Sequence, residues 1–382
     1  MLPISPAALQ ALPAARRPRR AEWSNDGGKT WHPATVGAAE VRPDRTAECR
    51  YTASAELLGV PLGRSGINTV STWVRLFQGI QGPRMDEPEW IPAGVYLVDE
   101  LERTRLGASV SLLGLEEGIR AARFPAPRVI GPGPARAVLP GLVAEAIPRA
   151  VVTWRPGVDP DTTVPRIVAE EDRWAALSAG TDSAGTATGI AAALGAELYA
   201  DARGVFTIAP TPTLDGPVVW RVPYGSALVT PAERQTAEGL VNVWVVTGDG
   251  GDGQPAIGPV YVWDSDPNSL TYAGPDPVAD PLAPQRLGLD WVRPRVERYT
   301  SPLIASEDQA YTVGRARLAD SLGVQTSLTV TGICNPAIEP GDVVLVEVRP
   351  GEWQRHLVDA CPYNLGGISQ TCTTRTSARR LA

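Results

Sequence analysis

The sequence is poor in the residues that most catalytic and metal sites require. Its 382 residues include only two histidines, His32 and His356. The four cysteines are Cys49, Cys334, Cys361 and Cys372. No two of them form a C-x-x-C pair, so the spacing favours buried free thiols over a zinc site. We therefore predict no catalytic residue, no cofactor-binding residue, no metal ligand and no cofactor.

Long apolar runs are also lacking. No run approaches the ~20 residues that a membrane-spanning helix needs, so we predict no membrane segment. Residues 1–20 contain four prolines and carry their charge after their apolar part, which is the wrong order for a secretory signal.

Lysine is nearly absent, since Lys29 is the only one and arginine supplies almost all the positive charge. The 35 basic and 42 acidic residues give a net charge of −7 and a pI near 5.1. An acidic chain is a poor general nucleic-acid binder, because such binding depends on basic surface that releases counterions. The 43% hydrophobic content is enough for a folded core.

What is present is best seen from Ser306 to Arg349. Ser306 with Gln309 fits a capping box, and the following apolar spacing predicts a helix that Gly323 ends. Alternation from Val324 to Val330 predicts a strand. The sequence Glu339-Pro340-Gly341-Asp342 predicts a turn into a second strand, so we expect a helix packed on a β-hairpin.

The N-terminal third predicts an arm followed by an all-β domain. Residues 1–20 form the arm, with a helix from Ser5 to Ala15 and a basic run, Arg16 to Arg20, that we interpret as solvated. Residues 21–124 contain strands at the spacing of a small barrel or sandwich, and we assign them to a first β-barrel domain. Its clearest signal is the hairpin turn at Asn25-Asp26-Gly27-Gly28.

The rest of the chain divides at composition changes. Residues 125–134 are a Pro/Gly-rich linker, and residues 135–230 are a mixed α/β module. In that module we predict a helix from Ile167 to Leu177 and a hairpin around Gly204. Residues 231–382 have strands before and after a Pro/Gly-rich insertion at 248–300, so we assign them to a second β-barrel domain. We expect the strand Val241 to Thr247 to belong to that barrel. The fold class is mainly β with an α+β insertion: two small tube-type barrels and one mixed module.

Two turn motifs resemble sequences that have known roles in other proteins. The pattern S-x-D-x-G-x-T-W from Ser24 to Trp31 resembles the Asp-box of sialidases and other propellers, but it occurs once and no blade-length repeat accompanies it. The stretch Asp264 to Asn268 resembles the start of a calcium loop, but Ser269 and Pro275 stand where that loop needs Gly and Glu. We interpret it as a solvated turn.

Carboxylate pairs could serve acid–base chemistry if they met in a pocket. Glu116-Glu117 and Glu170-Glu171-Asp172 are such clusters, and we interpret both as solvated helix starts. No nucleophile elbow, P-loop or zincin motif appears, so the enzyme hypothesis has no positive support.

Several segments together resemble the central baseplate hub, or tail-associated minor tail protein, of tailed bacteriophages of the actinophage type. These segments are Met1 to Trp31, Trp90 to Val98, Ala108 to Arg123, Asp172 to Trp174, Ala192 to Pro210, Asn242 to Gly248, Asp264 to Pro275 and Ser306 to Glu347. Each is weak alone, and none is catalytic. Ser178 to Gly189 departs from the pattern, because the family resemblance leads us to expect continuous helix there.

The resemblance implies a virion structural protein at the tail tip, with no enzymatic activity. It implies a homotrimer whose paired barrels adapt a sixfold tail tube to a threefold tip. The implied partners are the tail tube or distal tail ring, tip spike or fibre proteins, and the tape measure protein. DNA would pass through the channel without specific binding. Two alternatives stay open: a tail-associated glycan hydrolase or carbohydrate-binding protein, and the hub of a contractile injection system.

Overall fold

The computed structural model describes residues 1–178, 189–225, 228–230, 235–236, 240–250, 255–269, 271–280, 294–321 and 325–377. In these ranges the chain is mainly β, as predicted. The strands are β1 Arg19–Ser24, β2 His32–Pro43, β3 Tyr51–Leu58, β4 Trp73–Ile80, β5 Glu89–Arg103, β6 Gly107–Gly114, β7 Arg128–Ile130, β8 Gly133–Pro134, β9 Val152–Trp154, β10 Thr163–Val164, β11 Ile167–Ala169, β12 Ala196–Ala200, β13 Phe206–Pro210, β14 Val218–Val222, β15 Leu228–Thr230, β16 Gln235–Thr236, β17 Val243–Gly248, β18 Ile257–Trp263, β19 Val296–Thr300, β20 Gln325–Ile333, β21 Val343–Arg349, β22 Glu352–Ala360, β23 Tyr363–Asn364 and β24 Ser369–Ser377. The helices are α1 Pro6–Ala11, α2 Glu116–Ala121, α3 Ala135–Ala146, α4 Arg173–Leu177, α5 Ile190–Ala193 and α6 Glu307–Ser321.

Six antiparallel strands close into the predicted first barrel. They pair in the order β1-β4-β5-β6-β3-β2, and β2 pairs again with β1. Alternate residues point inward, so Leu57, Leu76 and Tyr96 are fully buried in its core. The ring closes through the first residues of β2, His32 to Ala34, and the later part of β2 keeps an edge at which another strand can pair.

The hairpin predicted at Asn25 to Gly28 joins β1 to β2. The carboxylate of Asp26 accepts hydrogen bonds from the backbone N–H groups of Lys29 and Thr30, each at 2.9 Å. These bonds, with one from Ser24, hold the pKa of Asp26 well below its ordinary value. Gly28 has a φ of +79°, a conformation that favours glycine. This local prediction is confirmed.

The barrel sheet continues without a break into a second group of strands. Glu40 and Val41 of β2 pair with Asn364 and Tyr363 of β23, which leads to β24, β22, β21 and β14. On its other side β24 pairs with β20, which pairs with β15 and β16. All these strands belong to one sheet of 14 strands. In the described residues no pairing joins β14 to β15, the two ends of this second group.

The mixed module between the two strand groups has its own hydrophobic core. The hairpin predicted around Gly204 is present as β12 and β13. The helix predicted from Ile167 to Leu177 is wrong in its first half. Ile167 and Ala169 are buried while Val168 is 60% exposed, so the period is two and the segment pairs as strand β11 with β7. Helix α4 begins only after Asp172, which caps it.

Residues 242–321 contain a second small α/β unit. Strand β17 lies between β18 and β19, and α6 packs on this three-stranded sheet. Two predictions are therefore corrected. The strand Val241 to Thr247 belongs to this sheet and not to the second barrel. Helix α6 packs on β17 and β18, where Gly314 permits close approach to Val262, and not on a hairpin of β20 and β21.

The helix start predicted at Ser306 and the turn predicted before β21 are confirmed, whereas the helix end predicted at Gly323 lies outside the described residues. The backbone N–H of Gln309 donates to the Ser306 hydroxyl at 3.2 Å, the first half of a capping box. The Gln309 side chain accepts from the N–H of Ala305 at 2.9 Å. The turn before β21 forms with Gly341 at φ +94° and a backbone bond from Asp342 to Glu339.

Residues 1–20 do not project as an arm. Helix α1 is capped by Ser5 as predicted but ends at Ala11, and Leu2, Ala8 and Leu12 are buried in the barrel core cluster. The basic run is partly used within the chain, since Arg17 donates to the carbonyl of Cys334 at 3.0 Å. The segment lies against the sheet because its apolar side chains are buried in the core cluster of the barrel.

Two further predictions concern residues outside the described ranges. Nearly all of the Ser178 to Gly189 stretch, at 179–188, and part of the insertion predicted at 248–300, at 251–254, 270 and 281–293, lie there. None of the helices in the described part of the chain has the length and apolar character to cross a membrane.

Candidate partner-binding surfaces

One face of the long sheet is lined almost entirely by small hydroxyl side chains and glutamates. We call it the hydroxyl–glutamate face. Its residues are Glu40 and Arg42 on β2, Thr52, Ser54 and Glu56 on β3, Glu100 and Glu102 on β5, Ser109 and Ser111 on β6, Ser327, Thr329 and Thr331 on β20, and Ser369, Thr371 and Thr373 on β24. They alternate with buried residues, which places them on the side of the sheet away from the cores.

The strand register aligns this face across both strand groups. Glu40 lies opposite Ser54, and Ser54 lies opposite Ser111, which lies opposite Glu100. In the second group Thr331 lies opposite Thr371, and their hydroxyls are 3.0 Å apart. Over β20 and β24 the face carries one charged residue, Arg375, which lies opposite Ser327 and pairs with Asp320 and Asp359. Over the barrel the face carries four glutamates against Arg42, so its charge is negative.

The opposite half of the barrel surface has a different chemistry. Aromatic rings and guanidinium groups alternate there in the order Trp31, Arg75, Phe77, Arg20 and Trp90, which we call the arginine–aromatic ladder. Arg75 lies 4.2 Å from the Trp31 ring centroid and 5.5 Å from that of Phe77. Arg20 lies 5.4 Å from the Phe77 centroid and 6.0 Å from that of Trp90.

A single carboxylate lies beneath the ladder. Glu22 is buried and forms ion pairs with both Arg20 and Arg75. The two guanidinium groups remain 48% and 31% exposed. A cleft of about 410 Å³ runs from the ladder to the mixed module, where Arg149 and Arg203 line its far wall.

The units of the chain meet at a buried cluster of charges, which we call the junction. Arg45, in the loop between β2 and β3, forms ion pairs with Glu197 of β12, Asp320 of α6 and Asp359 of β22. The side chain of Arg45 is only 7% exposed. One guanidinium thus contacts the mixed module, the small α/β unit and the second strand group from a loop of the barrel.

Two further arginines complete the junction. Arg50 pairs with Glu197 at 2.7 Å and lies 3.5 Å from the Tyr199 ring centroid. Arg375 of β24 pairs with Asp320 at 2.8 Å and with Asp359 at 3.2 Å.

Burial raises the pKa of Asp359 to about 7, although Arg45 opposes the shift. Because the folded state then holds a proton that the unfolded state has lost, this group's stabilising contribution is lost as pH rises through about 7.

The carboxylate pair at Glu116 is not the solvated helix start that we expected. Glu116 is buried, and its carboxylate accepts hydrogen bonds from the backbone N–H groups of Arg50 at 3.3 Å and Ala200 at 3.0 Å. Burial raises its pKa. It joins the barrel to the mixed module, and its only sequence signal was its position in the first turn of α2.

The other residues singled out in the sequence do not converge. Glu170, Glu171 and Asp172 are exposed, as expected. Asp264 is buried, contrary to a solvated turn, because its carboxylate accepts from the Thr271 hydroxyl at 2.7 Å.

The histidines and cysteines are also dispersed. His32 is exposed and stacks near Trp23, whereas His356 is buried in β22. All four cysteines are buried free thiols, as predicted. Across the described residues no three His, Cys, Asp or Glu side chains are grouped so as to hold a metal ion.

No protein-family model matches this sequence, and no curated protein sequence matches it. Solved structures do match the fold. The tail protein from Neisseria meningitidis MC58 aligns with a TM-score of 0.56 and 12% identity over 94% of this chain and 97% of that one. The 43 kDa tail protein of prophage MuSo2 from Shewanella oneidensis aligns with a TM-score of 0.50 and 12% identity over 93% and 98%. Prophage tail protein gp18 from Listeria monocytogenes EGD-e gives 0.50 and 11% over 94% and 95%.

These alignments span nearly the whole of each chain, so the similarity concerns the complete arrangement of barrel, modules and second strand group. At such low identity it establishes the fold alone. This chain has the fold of bacteriophage tail proteins, and the resemblance noted in the sequence is confirmed at that level.

Proposed function

We propose that this protein is a structural hub at the tip of a phage tail, located in the virion. Three copies form a ring that joins a sixfold tail tube to a threefold tip and anchors spike or fibre proteins. In this role the protein connects two assemblies of different symmetry and uses no catalysis and no cofactor. The observation that carries the proposal is the hydroxyl–glutamate face, which extends over one continuous sheet through both strand groups.

That face suits the wall of a channel that DNA crosses. Ser and Thr are short side chains that do not project far from the wall. Glu40, Glu56, Glu100 and Glu102 repel phosphates. An arginine-lined wall would instead retain DNA. Arg42 forms an ion pair with Glu40. Arg375, near the end of β24, forms ion pairs with Asp320 and Asp359, so the charge of both arginines is neutralised within the chain. The fold similarity to tail proteins supports the same assignment.

The experiment that tests the hub has two readouts on one preparation of the purified full chain. Native mass spectrometry should show an assembly near 122 kDa, about three times the 40.5 kDa chain. A chain that stays monomeric at high concentration would contradict the ring. The same preparation should release no sugars from bacterial cell-wall or capsular polysaccharide. Sugar release would contradict a purely structural role and favour the glycan hydrolase alternative.

The channel wall gives a separate prediction. Changing Glu56→Lys and Glu100→Lys together should make the assembled protein retain linear double-stranded DNA at least about tenfold more strongly than the unchanged protein, because the net charge of each chain rises by four units. Gel-shift titration at low salt measures this. The matched control, Glu170→Lys with Glu171→Lys, makes the same charge change at exposed positions of the mixed module. Equal retention by both double variants would place the channel elsewhere.

A further inference from the structure

The arginine–aromatic ladder carries an excess of positive charge that the described part of the chain does not neutralise. Two guanidinium groups, Arg20 and Arg75, share the one carboxylate of Glu22. Across the cleft, Arg149 forms no ion pair with any described residue and is exposed. Its backbone φ of +75° lies in the left-handed region, which costs a non-glycine residue about 1 kcal/mol or more. This local excess of cations stands out on a chain with a net charge of −7.

The geometry also limits what the ladder can recognise. Bases and sugar rings bind aromatic side chains by stacking on a free ring face. Here Arg75 lies over the Trp31 ring and both Arg20 and Arg75 lie over the Phe77 ring, so a base or sugar stacking on those faces would have to displace an arginine. What remains accessible is the outer N–H edge of each guanidinium. A carboxylate matches that edge with two parallel hydrogen bonds.

The ladder is preorganised for such a contact. Glu22 accepts from Nε of Arg20 at 2.8 Å and also pairs with Arg75, so both guanidinium planes are held before any partner arrives. Flanking rings exclude water from the contact and strengthen it. Fixing these long side chains in advance reduces the entropy lost on binding.

We infer that the arginine–aromatic ladder is the docking surface for an acidic, extended segment of another protein, whose carboxylates bind Arg20, Arg75 and, across the cleft, Arg149. We infer an acidic partner because its carboxylates complement the positive charge of these three arginines. The inference goes beyond the proposed hub function and does not depend on the ring, because the ladder lies on the opposite half of the barrel from the hydroxyl–glutamate face.

The test uses the full chain and a fluorescein-labelled oligo-glutamate peptide as the probe, titrated by fluorescence anisotropy at low salt. An oligo-lysine peptide of the same length should not bind. Arg20→Gln and Arg75→Gln should each weaken oligo-glutamate binding about tenfold. The matched control is Arg136→Gln, which removes an exposed arginine paired with Asp161 in the mixed module and should leave the affinity unchanged.

A variant with the opposite sign separates docking from a merely structural role. Glu22→Gln removes the negative charge that offsets both guanidinium groups, while its amide oxygen still accepts from them and retains part of their preorganisation, so oligo-glutamate should bind several-fold more tightly. Circular dichroism and thermal unfolding of each variant establish that it is folded.

Three outcomes would overturn the inference. The first is equal affinity of the unchanged protein and all ladder variants for oligo-glutamate. The second is double-stranded DNA binding as tightly as the peptide and losing affinity in the same variants, which would make the ladder a general polyanion site. The third is loss of the protein's own oligomer in Arg20→Gln and Arg75→Gln, which would make the ladder a contact between copies.

Discussion

Replacing Arg45 by methionine should lower the apparent free energy of unfolding by about 1–3 kcal/mol, because Glu197 and Asp359 are largely buried and each keeps only one of its two arginine partners. Glu197, Asp320 and Asp359 all pair with this guanidinium. Methionine keeps much of the packing volume, so the loss reports mainly the charge. Since the junction joins separate units, we expect the transitions seen by circular dichroism and by intrinsic tryptophan fluorescence to separate in the variant.

The matched control for Arg45 lies close by in the sequence. Arg42 pairs with Glu40, but the two side chains are 53% and 37% exposed. Arg42→Met should therefore cost less than about 1 kcal/mol. If both arginine variants have the same small effect, the junction does not hold the units together.

A second large effect is expected at His356 on acidification. This imidazole is 1% exposed; its Nδ1 is 3.1 Å from the Thr374 hydroxyl, and its Nε2 has no hydrogen-bond partner in the described structure. Burial lowers its pKa from 6.5 to about 4. Between about pH 6.5 and about pH 4 this imidazole is protonated in the unfolded chain but neutral in the folded chain. The free energy of unfolding therefore falls as pH falls through that range.

The size of this effect follows from the shift. Between about pH 7 and about pH 5 the buried imidazole should cost the protein about 2 kcal/mol of unfolding free energy. His356→Gln has no such titration and should lose about that much less over the same interval, as measured by urea denaturation at the two pH values. His32→Gln is the control, since His32 is exposed. Parallel pH profiles for the unchanged protein and His356→Gln would show that the imidazole is accessible to protons in the fold.

Signals that act over a few residues were sufficient for much of the fold. The turn at Asn25 to Gly28 specified the β1–β2 hairpin because its glycines and its aspartate satisfy the turn by themselves. The same holds for Gly204 between β12 and β13 and for Ser306 at the start of α6. Each of these features depends on contacts between neighbours in sequence.

Long-range pairing was less accessible. Alternation predicts that Val243 to Val246 form a strand, but it does not say which sheet receives it, and the actual partners β18 and β19 are separated by a long connection. The segment Ile167 to Leu177 has apolar residues compatible with both periods over its short length. The start of this segment is a strand because Ile167 pairs with Ile130 of β7.

The candidate surfaces were the least predictable part. Glu116 and Glu170 both open acidic clusters in the sequence, yet only Glu116 is buried, because β12 packs over it and offers the N–H of Ala200. Likewise Arg20, Arg75 and Trp31 are far apart in the chain and meet only because β1 pairs with β4. The alternation of Ser and Thr with apolar residues was visible, but its continuity across two strand groups depends on the pairing of β2 with β23.

That pairing between β2 and β23 has a mechanical consequence. The pairing consists of two residue pairs, Glu40 with Asn364 and Val41 with Tyr363, so the barrel and the second strand group share sheet structure through a narrow bridge. If three chains form the proposed ring, this bridge and the Arg45–Asp359 ion pair are among the contacts within each chain that would resist a change in the angle between its two strand groups.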